Sequence, residues 1–213
     1  MIKKYLAESL GTFILVFCGT GAIIINEVSG GTITHIGVAI TFGLVILAMI
    51  YSIGDISGAH INPAVTIAFA VAKRLKWHYV IPYIIAQIIG AFAASLTLKF
   101  LFPANELLGT TLPAGSAMQS FVLETILTFI LMYVILNVTS GAKEKGITAG
   151  IAIASVIALE AMFAGPITGA SMNPARSLAP AIVSGHIEFL WVYLGAPVVG
   201  AIIAVMANIL IRE

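Results

Sequence analysis

Charge is what this sequence has least of. Only 9% of its 213 residues are Asp, Glu, Lys or Arg, while 60% are apolar. A soluble globular domain carries about 25% charged residues. A soluble chain of this size buries only about 70–75% of its surface and cannot hide so much hydrocarbon. That composition excludes a soluble enzyme and a disordered chain. The net charge is +1, so there is no basic face for nucleic acid and no bulk charge to draw an acidic partner. Cysteine occurs once, at Cys18, which rules out a disulfide framework and a multi-cysteine metal site. In the middle of an apolar run it reads as a small filler. There is no Gly-x-Ser-x-Gly, no His-Glu-x-x-His and no pair of aspartates, so the signatures of an intramembrane enzyme are missing. The methionines are scattered, and no metal-ligand spacing appears.

What is present in quantity is long apolar runs. About 20 such residues cross roughly 30 Å of hydrocarbon as a helix. Spans are predicted at about 5–26, 34–53, 80–101, 117–138, 147–164 and 189–211. Six spans leave short loops and no room for a soluble domain. Met1-Ile2-Lys3-Lys4 before an apolar run has the form of a cleavable signal. Recurrence of that segment later in the chain assigns it to the fold instead. Eight of the ten basic residues fall on one side of a six-span chain: Lys3, Lys4, Lys73, Arg74, Lys76, Lys143, Lys145 and Arg212. The excess of Lys and Arg marks the cytoplasmic side, which also places both termini there. Trp77, Tyr79 and Trp191 fit an interfacial aromatic belt. His35, His78 and His186 sit at span ends.

The chain repeats itself. Glu8-x-x-x-Thr12-Phe13-Ile14-Leu15 returns 116 residues on as Glu124-x-x-x-Thr128-Phe129-Ile130-Leu131. Ser57-Gly58-Ala59-x-x-Asn62-Pro63-Ala64 returns after 111 as Thr168-Gly169-Ala170-x-x-Asn173-Pro174-Ala175. Tyr83-x-x-Ala86-x-x-x-Gly90-Ala91 returns after 110 as Tyr193-x-x-Ala196-x-x-x-Gly200-Ala201. One membrane domain, 1–213, therefore contains two halves, approximately 1–105 and 115–213. Three spans per half is an odd number, so the second half is inverted relative to the first, as in channels and transporters.

Each half also holds an apolar stretch too short to span, at 62–72 and 173–183. As helix, each is about 15 Å long. Each opens on Asn, a strong N-cap, then Pro, which suits the first helical position. The stretches before them, Ser57–Ile61 and Thr168–Met172, are expected to be non-helical. At membrane depth such backbone is tolerated only against protein or a water-filled cavity. Two half-helices entering from opposite sides would meet with their positive dipole ends at the midplane. Asn62 and Asn173 would cap with the side-chain oxygen, leaving each NH₂ free to donate into a lumen. Arg176, one turn beyond Asn173, belongs beside a polar cavity because a charge in hydrocarbon is costly. Its counterpart is Val65, so this charge exists on one side only.

These two loops, with Ala7-Glu8-x-x-Gly11-Thr12-Phe13, resemble the signature segments of the aquaporins, the major intrinsic proteins. The resemblance covers nearly the whole chain. It implies an all-α fold of six tilted transmembrane helices plus two half-helices in an inverted 3+3 repeat. It also implies one pore per subunit, a homotetramer of four independent pores in the cell membrane, and no cofactor. By resemblance the midplane motifs are Asn62-Pro63-Ala64 and Asn173-Pro174-Ala175. The pore-lining backbone would be Gly58, Ala59, His60, Ile61, Gly169, Ser171 and Met172. Arg176 matches the arginine of the family's aromatic/arginine constriction, and the spacing carried over from the family puts its other members at Phe42, Ala161 and Ala170.

The second of these is typically histidine in strict water channels, and glycerol facilitators typically have two bulky aromatics. Two alanines beside Phe42 and Arg176 imply a wider filter, similar to the plant nodulin-type subgroup. Ser177 replaces the aspartate usual in glycerol facilitators, while Ala181, Leu190 and Trp191 look closer to water channels. The expected cargo is water with small uncharged solutes such as glycerol or undissociated metalloid hydroxides; strict water conduction and glycerol facilitation are the alternatives.

Glu8 and Glu124 lie at matched places inside spans, where a carboxylate needs partners. Buttressing of the non-helical loops is the expected role and a proton relay the alternative. His60 either lines the cytoplasmic vestibule, as its family counterpart does, or packs. Glu160 lies about 100° around the helix from Ala161, facing either a neighbouring subunit or the pore. A secondary transporter is the rival of a different class, since broken helices in inverted repeats build those too.

Overall fold

A computed structural model describes residues 1–140 and 143–212, without the side chains of 143–147 and 212. Lys143, Lys145 and Arg212, invoked above for orientation, have side chains outside the described residues. The helices are α1 (Ile2–Val28), α2 (Thr34–Ser57), α3 (Pro63–Val71), α4 (Val80–Leu101), α5 (Ala117–Val138), α6 (Lys143–Thr168), α7 (Pro174–Ser184) and α8 (Leu190–Arg212). A 3₁₀ turn at Trp77–Tyr79 precedes α4. The described residues contain no strand, and six helices are long and apolar enough to cross a membrane.

The observed helices agree with the expected spans at α4 and α5, overrun them at α1, α2 and α6, and are shifted by one residue at α8. The overruns have a physical reason. Apolar content marks the hydrocarbon layer, but a helix continues through polar residues until a cap or a turn stops it. α2 runs on to Ser57 and stops at Gly58, whose φ of 91° is open to glycine.

The packing has an internal two-fold. α1 packs on α4 as α5 does on α8, α3 touches α8 as α7 touches α4, and α2 meets α6 across the axis. The third repeated segment is explained by these crossings. A Cβ on Gly90 would overlap the Ser9 carbonyl of α1, and one on Gly200 would overlap the Thr125 carbonyl of α5. Small residues let membrane helices approach to backbone contact, where dispersion replaces the missing hydrophobic drive. α3 and α7 have 9 and 11 residues, about 14 and 17 Å, roughly half the hydrocarbon thickness. Their N-termini meet in the interior.

Candidate functional site: a pore between two half-helices

Both half-helices start as the Asn-Pro dipeptides require. Asn62 is extended (φ −157°) and its Oδ1 accepts from Ala64 N at 2.9 Å. Asn173 is likewise extended, and its Oδ1 accepts from Ala175 N at 3.0 Å and Arg176 N at 3.4 Å. The amide nitrogens then cross over: Asn62 Nδ2 donates to Met172 O at 2.8 Å, and Asn173 Nδ2 to Ile61 O at 2.9 Å. This corrects the expectation that each NH₂ is wholly free. One hydrogen of each is spent on the opposite loop, because a loop carbonyl lies within reach across the two-fold; the second remains to donate into the lumen.

The two loops share a backbone conformation. Gly58, Ala59 and Ile61 have φ of 91°, 47° and 41°, and Gly169, Ala170 and Met172 have 81°, 41° and 52°. Left-handed conformations at non-glycine residues cost of order 1 kcal/mol each and persist only where the surroundings impose them. The surroundings here are the two buried glutamates. Glu8 Oε1 accepts from Ser57 Oγ (2.7 Å) and His60 N (2.9 Å), and Oε2 from Ile61 N (2.7 Å) and Gln87 Nε2 (2.8 Å). Glu124 Oε1 accepts from Thr168 Oγ1 (2.7 Å) and Ser171 N (2.8 Å), and Oε2 from Met172 N (2.8 Å). These bonds spend the N–H groups of His60, Ile61, Ser171 and Met172 on the two carboxylates.

His60 adds an asymmetry. Thr66 Oγ1 donates its hydrogen to Asn62 O (3.0 Å) and accepts from Gln87 Nε2 (2.9 Å). Its contact with His60 Nδ1 (3.2 Å) therefore needs that nitrogen to carry the hydrogen. Nε2 is then a bare acceptor, on a ring that lines the cavity and stacks on Phe69. In the other half the counterparts are Ser171 and Ser177, bonded at 2.6 Å.

Two cavities meet inside the bundle. A narrow one of about 110 Å³ runs past Asn62, Asn173, Val65 and the 58–61 and 170–172 loop segments. A wider vestibule of about 320 Å³ lies beyond it, lined by Asn26, Glu27, His35 and Thr110 among others. Phe42, Ala161 and Arg176 border both cavities, while Ala170 lines only the narrow one. Gly169, expected in the pore-lining backbone, borders the vestibule and not the narrow cavity, because the loop turns there to join α6. Arg176 is 2% exposed. Its Nη1 donates to Gly109 O at 2.8 Å and its guanidinium stands 5.2 Å from the Phe42 ring centre. The Nε has no hydrogen-bond partner.

Other lining residues escaped the sequence reading. Phe42, Ile46 and Ile50 form a helical stripe on α2, and Ile153, Ile157 and Ala161 repeat it on α6. The 111-residue offset of the signature loops relates the two stripes, so that offset was a usable signal. Gly109 had none, since it lies in the connection between the halves. Glu160 resolves against both expectations: it is fully buried and lines neither cavity. Among the described residues, both of its carboxyl oxygens lack a partner.

The family model for major intrinsic proteins matches residues 1–208. "Aquaporin NIP1-1" of Oryza sativa subsp. japonica is 49% identical over 212 residues, covering 99% of this chain and 75% of the relative. "Nodulin-26" of Glycine max is 48% identical over 202 residues, 94% of this chain and 74% of the relative. Among solved structures, the X-ray structure of the aquaglyceroporin from Plasmodium falciparum superimposes with a TM-score of 0.88 at 26% identity, over 96% of this chain and 94% of that one. Likeness of that extent, in sequence and in backbone, leaves one assignment for the paired half-helices and the pore between them: the chain belongs to the major intrinsic protein family, the aquaporins.

Proposed function

We propose that the chain is a passive channel for water and small uncharged solutes, glycerol and undissociated metalloid hydroxides included, which excludes protons and ions. The observation that carries this reading is that Phe42, Ala161 and Arg176 border both the narrow cavity and the vestibule. Everything that passes meets an aromatic wall, a cation and a gap left by alanine, with Ala170 just inside. Arg176 and nearby carbonyls bond hydroxyl groups while Phe42 accepts a carbon backbone. Deeper in, the remaining amide hydrogens of Asn62 and Asn173 and the two helix N-termini turn each water oxygen toward them. A continuous proton wire is thereby broken, and the positive potential repels cations.

The assembly that fits the family is a homotetramer with one pore per subunit, set in the cell membrane with both termini in the cytoplasm. The positions of Lys3, Lys4, Lys73, Arg74 and Lys76 support that orientation. Catalysis has no role in this reading.

Stopped-flow light scattering on proteoliposomes tests it. Osmotic shrinkage faster than in empty vesicles, with low activation energy and measurable glycerol entry, is the expected outcome. Ala161→His should largely block glycerol and leave water flux of a comparable order. A parent protein that rejects both glycerol and metalloid hydroxides would reduce the reading to a strict water channel. Fast collapse of an imposed pH gradient through the protein would contradict proton exclusion.

A further inference from the structure

We infer that His35 is a positioning residue that sets the width of the filter, by clamping α2 to α6 beside Ala161; the inference rests on the filter reading above. Pro166 lies inside α6 and has no N–H. The carbonyl four residues earlier, that of Met162, loses its helical donor. A carbonyl freed in this way is re-satisfied by a neighbouring side chain or by water, and here it lies at the exposed, vestibule-lining His35. His35 Nε2 lies 2.7 Å from Met162 O. A carbonyl only accepts, so Nε2 carries the hydrogen. The close approach depends on Gly165, where a Cβ would stand 2.7 Å from His35 Cε1.

The placement of this bond gives it a function. His35 is two helical turns before Phe42, so both share one face of α2 and both line the vestibule. Met162 directly follows Ala161. The bond therefore joins the two helices on the outer side of the Phe42–Ala161 pair, two turns along α2 from Phe42. Immediately inside that pair, α2 and α6 touch through Gly43, where a Cβ would come within 2.9 Å of Ala154 O and 2.8 Å of Ala158 Cβ. The filter is thus bracketed by a packing contact on one side and one hydrogen bond on the other. The hydrogen bond can be removed without altering Phe42, Ala161, Ala170 or Arg176 themselves.

The test compares the parent, His35→Phe, His35→Gln and Ala161→His in identical proteoliposomes, with water, glycerol and a four-carbon polyol as probes. Phe keeps the ring volume and removes the donor; Gln places an amide N–H where Nε2–H was. His35→Phe should raise the ratio of polyol to water permeability by about 2- to 10-fold, the range one net hydrogen bond commands, and His35→Gln should return it toward the parent. A ratio unchanged in His35→Phe, or one that rises equally in His35→Gln, overturns the clamp. Equal loss of water and polyol flux overturns it too, since that is a plugged mouth. Ala161→His separates the two claims: if it leaves glycerol flux untouched, the filter reading itself fails; if it blocks glycerol while His35→Phe changes nothing, only the clamp fails.

Discussion

Gly19 on α1 lies flat against the ring of Phe42 on α2: a Cβ at position 19 would overlap the ring edge. A glycine outside the pore lining thereby decides where the aromatic wall of the proposed filter stands. Gly19→Ala should push the ring toward the lumen. Overpacking of this kind costs about 1–3 kcal/mol. A glycerol-sized solute that meets half of that as extra barrier should pass roughly 2- to 10-fold more slowly. Water flux should fall less. Paired permeability measurements check this, and an unchanged glycerol-to-water ratio would show the ring retreating elsewhere.

Arg176 is a buried cation held by one carbonyl, that of Gly109, and by the face of Phe42. Its counterpart Val65 lines the same cavity without charge. Arg176→Val should therefore remove the outer electrostatic barrier and admit monovalent cations or protons while the half-helices persist. Ion flux into dye-loaded vesicles reads the result directly. A well-folded variant with unaltered ion exclusion would assign that task to the Asn62/Asn173 region alone.

The chain of bonds from Glu8 through Gln87 and Thr66 makes His60 a donor at Nδ1 and an acceptor at Nε2. Solid-state ¹⁵N NMR of ring-labelled protein should find Nδ1 protonated and Nε2 bare. Thr66→Val removes the acceptor and should yield a mixture of tautomers. Finding Nε2 protonated in the parent would mean that the Thr66 hydroxyl donates to His60 Nδ1 instead of to Asn62 O.

The two carboxyl oxygens of Glu160 are buried without hydrogen-bond partners among the described residues. A buried polar group without a hydrogen bond costs about 1–3 kcal/mol, a penalty that an apolar residue of similar volume removes. Glu160→Leu should therefore raise the midpoint of thermal unfolding in detergent, with water permeability retained. A marked drop in stability would reveal a polar partner at this position.

Much of the architecture is legible in the residue order because its signals are local or translational. Span length follows from apolar run length against hydrocarbon thickness, and inversion follows from an odd number of spans in each repeat. The half-helices follow from Asn-Pro at the head of a stretch too short to cross. The buttressing role of Glu8 and Glu124 was legible too, since a buried carboxylate must find donors and the neighbouring loops have unspent N–H groups. Only the tertiary structure decided the rest: that each Asn amide is half spent on the opposite loop, that Gly109 holds Arg176, that Gly19 sets the Phe42 ring, and that Glu160 faces neither lumen nor neighbour. The first three join different elements, and the Gly109 and Gly19 contacts have no copy in the other half. No periodicity or repeat encodes such a contact; it exists only once helix packing has brought the two side chains to the same depth.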